Sequence, residues 1–359
     1  MLRTFGCCRK IWNLMLADKI AYYEQIGKML YNTPAQYKAE HPYLKEVDSS
    51  ALANVQLDLQ QAYLSFFKQP KTGFPKWKTK KHPKRSYTTS VSHNNIEVTN
   101  GAIKLPKLKW VKAKVHRKIP KIHTIKSVTV SQNAAGRWFA SVLVEYKDEV
   151  KPVPLDNPSA VGLDYSSPRF YVGTDGTPEH PHPYRKEQEK LAREQRRLSR
   201  MEPGSSNYKK QLRRIGRIHQ RNADIRRDFL SKASTEIANR FDVVGIEDLN
   251  MQAQAQTLCF GKAVADNGWG MFTRMLEYKL AERGKYLVKA DRLFPSTKTC
   301  HECGYRNPDV TLNVREWTCP ECGTWLDRDG NAALNLRDYA LRALGVAPLN
   351  YAEPQGLRG

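Results

Sequence analysis

The chain has 359 residues, enough for two or three domains with real cores, and carries 59 Lys and Arg against 36 Asp and Glu, a formal charge of +23. A charge of that size predicts a polyanionic partner, because each cation placed on a phosphate gains affinity by counterion release. No apolar run reaches the roughly eighteen residues of a membrane-spanning helix. The basic segments are not amphipathic helices with aromatic faces, which argues against a membrane-surface role.

Residues 1–67 read as helical. Ile11, Leu14, Leu16, Ile20, Tyr23 and Ile26 keep an approximate helical period, as do Leu52, Val55, Leu59, Ala62 and Phe66. Thr33-Pro34 and His41-Pro42 break the pattern. The start is abrupt: Met1–Lys10 already has the character of a helix interior. Residues 68–85 hold eight Lys and Arg and no acid, with Phe74 and Trp77 interleaved. Their Pro and Gly forbid a regular helix, so this is a loop suited to a sugar-phosphate backbone with rings free to stack on bases. A plain flexible linker is the alternative.

Six short β-rich runs follow: Ser86–Ser92, Asn95–Val98, Ala102–Leu105, Trp110–Val115, Ile125–Ser131 and Trp138–Tyr146, separated by turn residues. They predict a small barrel. No acid occurs from Val98 through Val144, which makes a second polyanion surface. After a Pro-rich linker, Ser159–Asp164 reads as a buried strand ending in an acid, with Arg169–Gly173 as its hairpin partner. Two long helices span Tyr184–Arg240, broken at Glu202-Pro-Gly-Ser. The second carries an apolar stripe of Leu212, Ile215, Ile218, Ile225, Phe229, Ala233 and Ile237, and fifteen Lys and Arg lie between Arg185 and Arg227. Asp242–Glu247 is another buried strand ending in an acid. A helix over Trp269–Arg283, capped by Asp266 or Asn267, and a strand over Lys285–Ala290 come next, and the tail from Gly345 is irregular.

The four thiols Cys300, Cys303, Cys319 and Cys322 have the spacing C-x2-C-x15-C-x2-C of a zinc ribbon. A CxxC on a tight turn aims two thiolates at one point, and Gly304 and Gly323 supply the turns. Two such turns make a closed four-thiolate site with no open position, hence a structural zinc. Two disulfides or free buried thiols are the alternative, but only three other cysteines occur (Cys7, Cys8, Cys259) and no signal peptide is recognised, so a reducing compartment is expected.

Asp327 and Asp329 follow the ribbon and precede a run of helix formers, where an N-cap is the plain reading. Asp164 and Glu247 share a context: apolar residues, then one acid at a strand end, the place where sites form in α/β sheets. If the strands are neighbours, their carboxylates lie close together, within reach of Asp329. Like-charge repulsion would force protonation of such a group unless divalent cations neutralise it. Two ions roughly 4 Å apart can activate water on a phosphodiester, and oxygen ligands suit Mg²⁺ or Mn²⁺.

The segments V-G-L-D164-Y-S, V-G-I-E247-D-L-N, the paired CxxCG turns, D327-R-D329-G-N-A-A-L-N-L, the basic K-L-A-R-E-Q-R-R-L-S-R and F294-P-S-T-K-T-C-H-E-C-G resemble the TnpB family of transposon-encoded, RNA-guided DNA nucleases, similar to type V CRISPR effectors. The resemblance covers nearly the whole chain. It implies an α/β plus β-barrel fold. Residues 1–85 would be a helical recognition region and basic loop, and 86–150 a wedge-type β-barrel. Residues 151–294 would be an RNase H-like (RuvC) nuclease domain, 295–325 the inserted zinc ribbon, 326–345 the final nuclease-domain helix and 346–359 an irregular tail. Family members carry a first strand before the segment resembling F5-G-C-C-R-K-I-W-N, so a wedge one strand short is expected. Tyr165-Ser-Ser replaces the Leu-Gly that follows the first Asp in many members.

Carried over residue by residue, the resemblance makes Asp164, Glu247 and Asp329 the Mg²⁺ (or Mn²⁺) ligands, with Asp329 favoured over Asp327. It makes the Lys and Arg of residues 68–126 the groups that would hold guide RNA and target DNA; the candidate contacts are Lys76, Trp77, Lys78, Lys80, Lys81, Arg196 and Arg197, and the spacing makes Cys300, Cys303, Cys319 and Cys322 the zinc ligands. The implied partners are a guide RNA from the transposon end and double-stranded target DNA beside a short motif, with the protein a cytoplasmic monomer. Guide pairing would choose sequence while the protein reads backbone and shape. Two rivals remain at this level. A repressor-like relative without nuclease activity would lose one or more of the acids. A direct DNA transposase would bind no RNA.

Overall fold

The computed structural model describes residues 1–80, 85–147, 149–257, 261–311 and 313–347. Lys81, Cys259 and the tail from residue 348 lie outside them. The chain divides into two compact units, residues 1–148 and 149–359.

In the first unit, α1 (Leu2–Ile26) ends at Gly27, whose positive φ lets its N–H reach back to the Tyr23 carbonyl. Two 3₁₀ turns, Gln36–Lys38 and Pro42–Glu46, fill the interval marked by the two prolines. α2 (Ser49–Lys68) is capped by Asp48, which accepts from the N–H groups of Ser50 and Ala51. Ile11, Met15 and Leu16 pack with Leu52, Val55 and Leu59 in one core. The stripe expected on α1 stops short of its end: Tyr23 and Ile26 are exposed.

All six expected strands form: β1 (Ser86–Ser90), β2 (Glu97–Val98), β3 (Ala102–Leu105), β4 (Lys109–Lys112), β5 (Thr124–Gln132) and β6 (Trp138–Glu145). They do not close into a barrel. Two three-stranded antiparallel sheets, β1-β5-β6 and β2-β3-β4, stand in its place among the described residues. Closure needs every strand paired on both edges. The two-residue β2 and four-residue β4 offer little ladder to the longer β6.

The second unit is built on a four-stranded sheet in the order β10-β9-β7-β8. Its strands are β7 (Ala160–Ser166), β8 (Phe170–Gly173), β9 (Val243–Glu247) and β10 (Tyr286–Ala290). β7, β9 and β10 are parallel, and β8 returns antiparallel to β7 as a hairpin. The near-continuous apolar runs of β7 and β9 suit parallel strands covered on both faces. Between β8 and β9 lie α3 (Pro183–Ser199) and α4 (Ser206–Arg240); between β9 and β10 lie α5 (Met251–Thr257), α6 (Gly261–Asn267) and α7 (Trp269–Ala281). Leu230 and Ile237 of α4 and Phe272, Leu276 and Leu280 of α7 share a core with Val161 and Leu163. Leu212 and Ile225 of the expected α4 stripe are exposed; the apolar contact of α4 with α3 is made by Ile215 and Ile218. Neither Asp266 nor Asn267 caps α7. Gly268, at φ 68°, holds that position, and the Asp266 carboxylate instead accepts from the N–H groups of Tyr184 and Arg185 at the start of α3.

After β10 the chain forms a two-stranded ribbon, β11 (Glu316–Thr318) with β12 (Trp325–Asp327), and then α8 (Arg328–Ala343). α8 lies on the sheet face opposite α4 and α7, and two glycines let it lie close. A Cβ on Gly162 would stand 1.8 Å from the Ala333 carbonyl oxygen, and one on Gly245 would stand 2.2 Å from that of Leu336. No helix among the described residues is long and apolar enough to cross a membrane.

Candidate functional site

The parallel register of β7 and β9 sets Leu163 opposite Ile246. One residue further on come Asp164 and Glu247; Glu247 ends β9, but β7 runs two residues past Asp164, to Ser166, because Asp164, Tyr165 and Ser166 pair with β8, so Asp164 is not the strand end expected. Each lies two residues beyond a glycine that faces α8, so the period of two turns both acids toward that helix. Asp329 sits in the first turn of α8. The sheet and the helix thus bring all three predicted carboxylates to one place, and they interact electrostatically.

Their environments differ. Asp164 is 5 % exposed and accepts no hydrogen bond from the described residues. Burial raises its pKa well above the ordinary value, and the negative charges of Glu247 and Asp329 raise it further, against a smaller pull from Arg328 and Arg169. Burial also raises Glu247, while the Ser296 hydroxyl, donating to Oε1 at 2.6 Å, partly offsets the rise. Asp329 is 3 % exposed, and burial pushes it upward too. Hydrogen bonds and charge from Arg328 and Arg169 outweigh that push and hold its carboxyl below the usual range. Arg328 donates to Oδ1 through Nε (3.0 Å) and Nη2 (2.7 Å), and Arg169 donates to Oδ2 at 2.7 Å. Asp327 has the other role, capping α8 by accepting from the Gly330 N–H at 2.7 Å. A carboxylate that is buried, without hydrogen bonds and beside two others is one a hard cation would stabilise.

The second cluster is the four cysteines, whose sulfurs all lie within 4.8 Å of one another. The three acids do not form a group this tight. Both CxxCG turns have one geometry. Gly304 (φ 77°) and Gly323 (φ 73°) return their N–H groups to the Cys300 and Cys319 carbonyls, each at 2.9 Å. The Cys300–Cys322 and Cys303–Cys319 sulfurs are 3.7 and 3.6 Å apart, and all four thiols are free of disulfides. A tetrahedron with metal–sulfur bonds of about 2.3 Å has edges of about 3.8 Å, so the cluster could bind zinc. Thr324, through its hydroxyl and its N–H, draws the Cys322 thiol down to about 6, toward the thiolate that a metal takes.

The two clusters are tied together by residues that sequence reasoning missed. Asn335 of α8 donates to the carbonyls of Ser296 and Thr299, each at 2.7 Å. Asn331 donates to Thr299 O and accepts from the His301 N–H. The loop entering the ribbon is therefore pinned on α8, and its Ser296 hydroxyl is aimed at Glu247. This serine lies in the F294-P-S-T-K-T-C-H-E-C-G segment, which by itself assigns it no role. The asparagines stand out only as buried polar residues in a helix rich in alanine and leucine.

The predicted nucleic-acid contacts fall into two groups, one in each unit. In the first, the 69–80 segment runs along α1: Trp12 Nε1 donates to Lys76 O at 3.0 Å, and Asn13 exchanges two hydrogen bonds with the Lys78 backbone. Lys78 Nζ lies 3.3 Å from the centroid of the Trp12 ring, so this lysine also anchors the segment. Lys76, Lys80 and Trp77, 53 % exposed, point outward. In the second, Arg196 and Arg197 are exposed on α3.

Residues 269–336 match the family model "Cas12f1-like, TNB domain", residues 141–257 match "Probable transposase", and residues 1–28 match "Helix-turn-helix domain". The last span is occupied almost wholly by the single helix α1. The chain is 36 % identical to "Putative RNA-guided DNA endonuclease" of Streptomyces pristinaespiralis, across 95 % of this chain and 85 % of that protein. It is 30 % identical to "Putative RNA-guided DNA endonuclease InsQ" of Escherichia coli (strain K12), across 94 % and 87 %. "TnpB-like protein L79" of Acanthamoeba polyphaga mimivirus is 30 % identical over 38 % of this chain and 27 % of its own length. Among solved structures, a chain of a Cas12f1–sgRNA–target DNA complex superposes with a TM-score of 0.55 at 16 % identity, covering 94 % of this chain and 82 % of that one. The fold is Cas12f-like.

Proposed function

The chain belongs to the TnpB family, and on that premise we propose that it is an RNA-guided DNA endonuclease whose divalent-metal site is Asp164, Glu247 and Asp329. The observation that carries the site is the convergence of three acids from two adjacent parallel strands and one helix start, with Asp164 buried among them. The sheet order, with one antiparallel edge strand and helices on both faces, supports an RNase H-like reading of residues 151–294 and 326–345. The ribbon over 295–325 would hold a structural zinc.

Mg²⁺ or Mn²⁺, when bound, would lower the pKa of water and offset the charge of a phosphodiester. The chain's own residues prepare that site. Asp164 supplies a carboxylate that accepts no hydrogen bond from the described residues and feels only a smaller pull from Arg328 and Arg169. Ser296 orients Glu247, and Asn335 holds Ser296 in place. Asp327 caps α8, so Asp329 enters from a defined first turn. Lys76, Trp77 and Lys80, with Arg196 and Arg197, would contact guide RNA and target DNA through phosphates and stacking. Lys78 would serve mainly to hold its segment on Trp12.

The test is cleavage of a plasmid library with randomised bases beside a guide-matched target. The protein is co-expressed with its flanking transposon-end RNA. Mg²⁺-dependent cuts beside one enriched motif are expected from the wild type. Asp164→Ala should abolish them and keep the RNA bound. Full cleavage by that variant would refute the acid assignment, and a protein that binds no RNA would refute RNA guidance.

A further inference from the structure

Two guanidiniums besides the buried Arg328 stand at the acid cluster: Arg315, whose Nη1 is 3.8 Å from Asp329 Oδ2, and Arg169, which is close enough to donate to that oxygen. Asp329 already has a buried partner in Arg328, which takes Oδ1 with two donors. Arg169 adds a bond to Oδ2 from a side chain that is 46 % exposed, against 4 % for the carboxylate it touches. One side of this guanidinium therefore faces the acids and the other faces solvent, where a polyanion would arrive.

The hairpin that carries Arg169 is held with unusual care for three residues of loop. β7 and β8 pair through Ser166 and Phe170, leaving Ser167, Pro168 and Arg169 between them. The Ser167 carbonyl accepts from Asn267 Nδ2 at 2.8 Å, and the Pro168 carbonyl accepts from His182 Nε2 at 3.0 Å. Phe170, the next residue, has φ 76°, a conformation that residues with a Cβ avoid. It is fully buried, with its ring 5.2 Å from that of Phe229, 5.6 Å from Trp269 and 5.0 Å from Phe272. That packing locks in a backbone turn which a relaxed hairpin would not adopt. The turn sets the Arg169 side chain at the rim of the acids.

We propose that Arg169 is a catalytic residue that binds a non-bridging oxygen of the scissile phosphodiester. The proposal rests on reading the acids as the nuclease site. Three carboxylates repel an incoming phosphate, and a guanidinium at their open edge offsets that repulsion where charge develops in the transition state. Arg169 holds Asp329 Oδ2 while that oxygen is free. Once Asp329 is engaged by a cation, the planar fork can turn its donors to the phosphate, with which it matches in geometry.

The experiment uses the full chain with its guide RNA and compares Arg169→Ala and Arg169→Lys with wild type. Single-turnover cleavage by Arg169→Ala should fall on the order of 100-fold, as for loss of one charge-stabilising donor. Arg169→Lys should fall between the two. Mn²⁺ binding, followed by electron paramagnetic resonance, should be at least as tight in Arg169→Ala, because a competitor for Asp329 is gone. Added guanidinium ion should restore part of the Arg169→Ala rate and none of the Asp164→Ala rate. An undiminished Arg169→Ala rate overturns the proposal, as does Mn²⁺ affinity lost in parallel with cleavage, which would make Arg169 merely structural. A wild-type protein that binds guide RNA and never cuts would overturn the nuclease reading itself.

Discussion

Substituting Gly162 by alanine tests whether the approach of α8 to the sheet sets the acid geometry. The added Cβ would lie 1.8 Å from the Ala333 carbonyl oxygen and 2.6 Å from the Arg337 nitrogen. Both are backbone atoms, so no side chain can swing aside. Real Cβ contacts essentially never fall under 3.0 Å, so helix and strand must separate locally by about 1.2 Å, a misplacement of the size that costs catalysis about 100-fold. Overpacking of this kind also costs about 1–3 kcal/mol, which in a unit of this size lowers Tm by roughly 2–12 °C. The assay is thermal unfolding beside Mg²⁺-dependent guided cleavage. The control is Gly270→Ala on α7, where a Cβ meets nothing within 4 Å and alanine should be neutral or slightly stabilising. Wild-type Tm and rate in Gly162→Ala would refute the close-approach argument. A lowered Tm with an undiminished rate would refute the inference that α8 spacing positions Asp329.

Two further predictions concern the cations. Asp164 has a folded-state pKa well above its ordinary 3.8, so its protonated form favours folding, fully below about pH 4 and less as pH rises through the folded value. Glu247 contributes with the same sign and Asp329 with the opposite one. Metal-free Asp164→Asn should therefore match wild type in Tm near pH 4 and exceed it increasingly toward neutral pH, while losing any Tm gain from Mg²⁺. A Tm difference that stays constant from pH 4 to 8 would contradict this. For the cysteines, elemental analysis should find one zinc per chain, and Cys319→Ser should lose it. Such sites contribute on the order of 10 kcal/mol of local folding energy, so proteolysis should then cut first within 300–322; an unchanged digestion pattern would count against a structural zinc.

Much of this was legible in the sequence because chemistry and spacing coincide there. The CxxCG pairs specify both ligand and turn, and their knuckles are as expected. V-G-L-D and V-G-I-E mark two buried parallel strands; the second ends in its acid, and the first runs on two residues to Ser166 because the hairpin with β8 extends it. Their glycines were also a signal, since a glycine inside an apolar strand marks a close backbone approach. What could not be read depends on partners far along the chain. Alternation identified six strands in the first unit but not which edges pair, so a barrel was expected where two sheets formed. Asp266 has the composition of a cap for α7, but its carboxylate caps α3 instead, some eighty residues upstream. Arg169 lies in no motif, and Arg328 and Ser296 lie in quoted segments that assign them no role; only the fold brings the three to the acids.

The acid cluster is assembled against its own electrostatics. Packing drives Asp164 and Glu247 together, because the apolar residues before them form the sheet interior and neither strand can shift register without exposing that core. Repulsion is then reduced locally rather than by removing a charge: Arg328 and Arg169 quiet Asp329, Ser296 steadies Glu247, and Asp164 receives only the smaller pull of the same two arginines. A protein selected for stability alone would place an asparagine at 164, which keeps the shape without the charge. Retaining a buried carboxylate there suits a site that binds a cation, and the pH dependence of Asp164→Asn measures the stability given up to keep it.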